Sequence, residues 1–147
     1  MRIFPAVLLA GILAILPGSK SSSQTAEVAF ARQYLATLDQ GDFQNAYHNY
    51  LAPSFQAQMP LPNFVTSYQN TTRQLGGKDV GQQTFKNSAG RSERQVVQQN
   101  VVPTANGPAL LVRFRTIYPN TIAFEDVYMQ PTPSGPKVVG TWIAPGF

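Results

Sequence analysis

The sequence predicts an α+β domain: three N-terminal helices packed on a curved antiparallel sheet of four or five strands. Three observations lead there. Helical periodicity of apolar residues runs from about Ala26 to Leu75 and then stops. The second half holds β-rich, alternating runs separated by Pro, Gly and Asn turn signals. Within it, Ala109 to Gln130 reads as a β-hairpin, ALLVRFRTIY and TIAFEDVYMQ joined by Pro119-Asn120.

The hairpin sets a register. With Tyr118 opposite Thr121, Leu110, Val112, Phe114 and Thr116 share one face with Ala123, Glu125, Val127 and Met129. That face is apolar except for Glu125, which falls across from Phe114. A carboxylate on an apolar surface needs a partner or a raised pKa. On the other face Arg113 falls opposite Asp126, a cross-strand ion pair contributing about 0.2–1 kcal/mol.

The elements follow in chain order. Met1-Arg2, the apolar run Ile3 to Leu16, Pro17-Gly18 and the small residues to Ser23 read as a signal peptide over residues 1–23. The mature domain is then 24–147, exported to a periplasmic or extracellular space. The apolar run is shorter than the roughly 18–20 residues of a span, and no second run is long enough. Thr25 can cap a first helix from Ala26, with Phe30, Ala31, Tyr34 and Leu38 as its buried stripe, Arg32 and Asp39 on the far side, and Gly41 as its end. Asp42 caps a second helix that buries Phe43, Ala46, Tyr47, Tyr50 and Leu51 and stops before Pro53. Phe55 and Met59 lie in a short irregular or helical stretch. A third helix starts near Pro62, shows Phe64, Tyr68, Thr71 and Leu75 on one face, and ends at Gly76-Gly77.

Asp79 to Ser88 and Glu93 to Val102 are β-like, as two strands or one bent strand. Turns are expected at Pro103–Pro108 and Pro131–Pro136. The last strand, Lys137 to Ala144, puts Val138, Gly140 and Trp142 on one face and Val139, Thr141 and Ile143 on the other. Gly140 suggests a bend or bulge there. No internal repeat is evident.

Composition narrows the function. The 147 residues contain no cysteine, so there is no disulfide framework, thiolate metal site or cysteine nucleophile. Arg2 and Lys20 precede the expected cleavage, leaving nine basic against seven acidic residues. A net charge of +2 does not suggest a nucleic-acid binder. Arg91 and Arg94, with Glu93 between them, read as a solvated turn.

In their order, Tyr34-Leu35, Leu38-Asp39-Gln40-Gly41-Asp42-Phe43, Tyr47, Phe55, Phe64, Arg73, Leu75-Gly76, Val112-Arg113-Phe114-Arg115-Thr116, Asn120, Glu125, Val127, Val138-Val139-Gly140 and Ile143 resemble a family of exported bacterial proteins, domain-of-unknown-function 4019. Tyr34, Tyr47 and Phe64 stand where that family has tryptophans. The resemblance implies a nuclear-transport-factor-two-like cone, in which the sheet wraps round the helices and leaves a pocket at its mouth. It implies no established activity.

Glu125 is the leading candidate for chemistry, as a base or recognition group beside Tyr34, Tyr47 or Tyr68. Its bland alternative is an ion pair with an arginine, Arg73 being the natural partner, or capping by helix-end amides. Phe114 and Trp142 join the three tyrosines and Glu125 as pocket candidates, and Arg113 and Asp126 are the further structural ion-pair candidates. Asp39 and Asp42 read as a helix end and an N-cap. His48, the only histidine, is expected in solvent, and no metal site or cofactor is expected. The expected function is a non-catalytic binding or interaction module for a small apolar ligand or a protein partner, with a homodimer through the sheet as one form. The alternatives are an isomerase- or dehydratase-like enzyme using Glu125 with a tyrosine, and an accessory or immunity-type subunit of an exported complex.

Overall fold

The computed structural model of the chain describes residues 22–76, 94–118 and 121–146, with side chains from Ala26 onward. The expected signal peptide before Ser22, the strand expected over Asp79 to Ser88, and the Pro119-Asn120 turn lie outside the described residues. No helix among those described is long and apolar enough to cross a membrane.

Helices come first and strands second. Helix α1 spans Ser22–Asp39. It begins before Thr25, which therefore lies inside the helix and does not cap it. Its end matches expectation: Gly41 N–H donates to the Leu38 carbonyl and Asp42 N–H to that of Thr37, the paired bonds of a Schellman cap. Asp42 then caps the next helix through a bond from the Asn45 amide. That helix, α2 (Phe43–Asn45), widens into a π-helical turn, Ala46–Tyr50. Leu51 and Ala52 are extended, and the Ala52 amide donates to the Val138 carbonyl, tying this stretch to the last strand. Helix α3 (Pro53–Gln58) and helix α4 (Leu61–Gln74) both carry proline in the first turn, where its missing amide costs nothing.

Four antiparallel strands follow in the order β1 (Arg94–Thr104), β2 (Gly107–Ile117), β3 (Ile122–Thr132) and β4 (Gly135–Pro145). The central pair has the expected register, with Phe114 opposite Glu125, Arg113 opposite Asp126, and Tyr118 and Thr121 exchanging both backbone bonds. The outer two hairpins are longer than expected. Both are built on one hexapeptide, Pro-Thr-x-x-Gly-Pro, at 103–108 and again at 131–136. In each, strand pairing continues through the prolines to Thr104–Gly107 and Thr132–Gly135. The threonine hydroxyl donates to the glycine carbonyl across the turn, at 2.6 Å in both.

Each edge strand carries a bulge. Val97 is the extra residue in β1, between Val96 opposite Phe114 and Gln98 opposite Arg113. In β4 the extra residue is Val139, beside Gly140 as the sequence suggested. The bulge corrects the expected faces of β4. Val138 pairs with Met129 and is fully buried, and the alternation then slips by one, so Thr141 and Ile143 join it on the inner face. Gly140 and Trp142 turn outward, and Trp142 is 66% exposed.

The core lies between the inner sheet face and the helices. Ala31, Tyr34, Leu35 and Leu38 of α1 meet Val112, Phe114, Val127, Met129 and Val138, all essentially without solvent contact. An aromatic layer joins the helices to one another, with ring centroids 5.1 Å apart for Phe30–Tyr50, 5.8 Å for Tyr47–Phe64 and 5.9 Å for Phe43–Tyr68.

The twin turns make a prediction. Gly107 and Gly135 have φ of +104° and +108°, where an L side chain is strained, whereas a Cβ at Gly140 would meet nothing closer than Tyr128 Cδ2 at 3.5 Å. Gly107→Ala and Gly135→Ala should each destabilise the domain by about 1–2 kcal/mol in urea unfolding. Gly140→Ala should stay within about 0.5 kcal/mol of the parent.

Candidate functional site

Two features stand out, a buried ionic cluster and a cavity. The cluster is built on Glu125 of β3, whose side chain is 1% exposed. Its partner is Arg94, the first residue of β1. Arg94 Nε donates to Glu125 Oε2 at 2.5 Å and its Nη2 to Oε1 at 3.1 Å. The same guanidinium grips Asp39, the last residue of α1, with Nη1 to Oδ2 at 2.6 Å and Nη2 to Oδ1 at 3.0 Å. Thr116 donates to Glu125 Oε2 at 2.5 Å and Tyr118 to Oε1 at 2.6 Å. The Tyr68 hydroxyl of α4 donates to Asp39 Oδ1 at 3.2 Å. One arginine thus forks onto two carboxylates, and the hydroxyls complete the shell.

This answers what holds the acid on the apolar face. Burial works to raise the Glu125 pKa, but the charge and hydrogen bonds of Arg94, then Thr116 and Tyr118, outweigh it and hold the carboxyl below its ordinary value. Arg94 is likewise opposed by burial, and Glu125 and Asp39 more than offset that. Each Glu125 oxygen already accepts two bonds, so the four lone-pair positions of the carboxylate are filled. A general base needs one of them free.

The partner is not Arg73, which is exposed on α4 and donates to Asn70 Oδ1 at 3.4 Å. Nor is Arg94 in a solvated turn, since its side chain is 9% exposed. The reason is the Val97 bulge. On an unbroken ladder counted back from the Thr104–Gly107 turn, Arg94 would face Ile117 and point outward with it. The bulge places it opposite Thr116, on the inner face that Glu125 shares. Arg32 and Asp39, expected on the far side of α1, also reach the sheet. Arg32 donates to the Arg94 carbonyl at 2.9 Å, and its guanidinium lies 5.2 Å from the Phe114 ring centre.

The cavity is a neighbouring space that Glu125 does not line. It encloses about 350 Å³ between α3, α4 and β4. Phe55 and Met59 line it from one side, Phe64, Ser67, Tyr68 and Thr71 from another, and Thr141, Trp142 and Ile143 from the strand. Among the described residues its wall is apolar and aromatic with several hydroxyls and no charged side chain. That composition suits a small neutral molecule.

The remaining candidates divide accordingly. Tyr68 lines the cavity and Trp142 stands at its rim. Phe114 is fully buried in the core, and so is Tyr34. Tyr47 is committed elsewhere, donating to the Gln56 carbonyl at 3.0 Å. Arg113 and Asp126 form the expected outer-face pair, bidentate with both distances 2.7 Å. Among the described residues no three His, Cys, Asp or Glu side chains are grouped to hold a metal ion. No family model, curated protein or solved structure matches the chain.

The cluster predicts an acid-sensitive fold. A carboxyl whose folded pKa lies below its unfolded value stabilises the protein above the unfolded pKa, and that stability is lost as pH falls through the folded one. For Glu125 the loss should begin below its ordinary value of 4.5. Urea midpoints measured from pH 7 down to pH 3 should therefore fall more steeply for the parent than for Glu125→Gln. At pH 7, Arg94→Met, which leaves two carboxylates without their cation, should cost about 3–5 kcal/mol.

Proposed function

We propose that the domain is an exported, non-catalytic binding module that takes a small, uncharged, largely apolar ligand in the cavity between α3, α4 and β4. The family resemblance and the nuclear-transport-factor-two-like cone belong to the same reading. The observation that carries it is the separation of the two features. Among the described residues the one acid on the inner sheet face is spent on Arg94, Thr116 and Tyr118, while the space that can admit a molecule is walled by Phe55, Met59, Phe64 and Ile143. A carboxylate with filled lone pairs does not favour the isomerase or dehydratase alternative.

Cumene, an uncharged apolar probe, tests it. In an NMR titration it should bind saturably, with roughly millimolar affinity. Shift changes should be centred on Phe64, Tyr68, Thr141 and Ile143. Ser67 is exposed at the mouth, so Ser67→Trp should block entry without disturbing the buried layer. Absence of saturable binding, or binding untouched by Ser67→Trp, would end the proposal.

A second reading is favoured by one observation. Trp142 is 66% exposed on the outer sheet face, next to Tyr128 and Phe124 of the neighbouring strand. An exposed tryptophan beside other aromatics suits a homodimer through the sheet. Sedimentation as a monomer at high concentration would exclude it, and Trp142→Ser should shift any dimer toward monomer.

A further inference from the structure

The sheet has one covered edge and one open edge. On β4 the edge is taken: Leu51 forms a parallel bridge with Val138, and the Ala52 amide donates to the Val138 carbonyl at 2.7 Å. On β1, at the other edge, no described residue pairs with the outward side. Natural edge strands are guarded by charge, proline or a bulge, because their unpaired amides and carbonyls accept another strand. Here Gln95 to Thr104 carries no charged side chain. The Val97 bulge and Pro103 guard only the ends of the strand. Between them Gln98, Gln99, Asn100 and Val101 are exposed, Val101 at 67%. Which backbone groups face outward follows from the prolines. Pro103 lies opposite Pro108, and neither has an amide, so they form a non-hydrogen-bonded pair. By alternation Gln99 and Val101 are also non-bonded positions, and their N–H and C=O groups point away from β2.

We propose that this edge is a self-association site, where β1 of a second copy of the chain pairs antiparallel about a two-fold axis at Asn100. In that register Gln99 of each copy faces Val101 of the other, and each such pair exchanges both backbone bonds. Asn100 meets its own counterpart on the outer face. Gln98 already donates to Asn100 Oδ1 there at 2.9 Å, so the row of amides runs on across the axis. On the inner face the exposed Val101 gains the Gln99 stem opposite and the other Val101 diagonally. Charge favours a copy of this chain as the occupant. A two-fold axis brings each residue of the window close to its own counterpart, so any charge there would meet its like. Gln98 to Val102 has none, and the same neutrality offers a charged foreign segment nothing to pair with. The covered edge of β4 decides the size of the assembly. With one open edge per chain the contact closes as a dimer and does not propagate. This site lies at the opposite edge of the sheet from Trp142 and is independent of what the cavity binds.

The window is short, so the dimer is weak, with Kd about 0.1–1 mM. Amide exchange followed by NMR tests it. Between about 20 µM and about 1 mM protein, exchange at Gln99 and Val101 should slow about 2- to 5-fold, tracking the monomer fraction. Asn100 and Val102, bonded to β2 in either state, should not change. A cysteine reports the register, since the chain has none of its own. Across the axis the Asn100 Cα atoms stand about 4.5 Å apart, within disulfide range. Asn100→Cys should therefore oxidise to a linked dimer, and Val102→Cys, on the same face but off the axis, should not. Asn100→Lys sets two ammonium groups against each other at an exposed position, so it should abolish sedimentation as a dimer without lowering the melting temperature. Trp142→Ser should leave this dimer intact. Fast exchange at Gln99 and Val101 at every concentration overturns the inference and leaves the edge to a strand of another protein. Slow exchange at every concentration overturns it in favour of cover from the same chain. Dissociation by Trp142→Ser but not by Asn100→Lys overturns it in favour of the outer sheet face.

Discussion

The fold depends on one guanidinium. Arg94 is the point where three elements that are distant in the chain meet: it opens β1, grips Glu125 of β3, and holds Asp39 at the end of α1. Hydrophobic burial is non-directional and would accept α1 sliding along the sheet. The fork of Arg94 does not, because its two carboxylates must arrive in plane and at fixed distances. A buried ion pair is weak evidence for net stability, since the desolvation of both partners opposes the attraction. Its contribution here is register. A cluster with one cation and two carboxylates also needs hydroxyl donors to complete it, and Thr116 and Tyr118 supply them from the end of β2 and Tyr68 from α4.

The centre of the sheet was legible from residues alone. Eight consecutive pairs of the β2–β3 ladder follow from alternation, and the acid on their inner face was visible as an anomaly. So were the Gly41 and Asp42 helix boundaries, because each rests on local chemistry. The partner of Glu125 and the inner face of β4 were not. Both lie beyond a bulge, and a single extra residue reverses every later side chain of an edge strand. Arg94, counted without the Val97 bulge, points to solvent. Thr141 and Ile143, counted without the Val139 bulge, point away from the cavity they line. Gly140 hinted at the second bulge; nothing so plain marks the first. The repeated Pro-Thr-x-x-Gly-Pro hexapeptide was available as a signal for both hairpins. Its prolines suggested loops, yet at these positions the paired strands run through them.

The cavity and the ionic cluster are separate spaces that share a residue. Tyr68 presents its ring to the cavity wall, while its hydroxyl is held by Asp39. Asp39 is held in turn by Arg94, and Arg94 by Glu125. Glu125 therefore acts on the cavity at a distance, as the far end of a chain of charge-assisted bonds that fixes where one wall stands. This gives the acid a role without asking it to move a proton. It also explains how an acid can sit on an apolar face beside a pocket and still be unavailable to whatever enters. The opposite wall is set by a different device, the bulge in β4, which turns Thr141 and Ile143 inward. The pocket thus has one wall tied to the ionic cluster through Tyr68 and the other set by the backbone geometry of an edge strand.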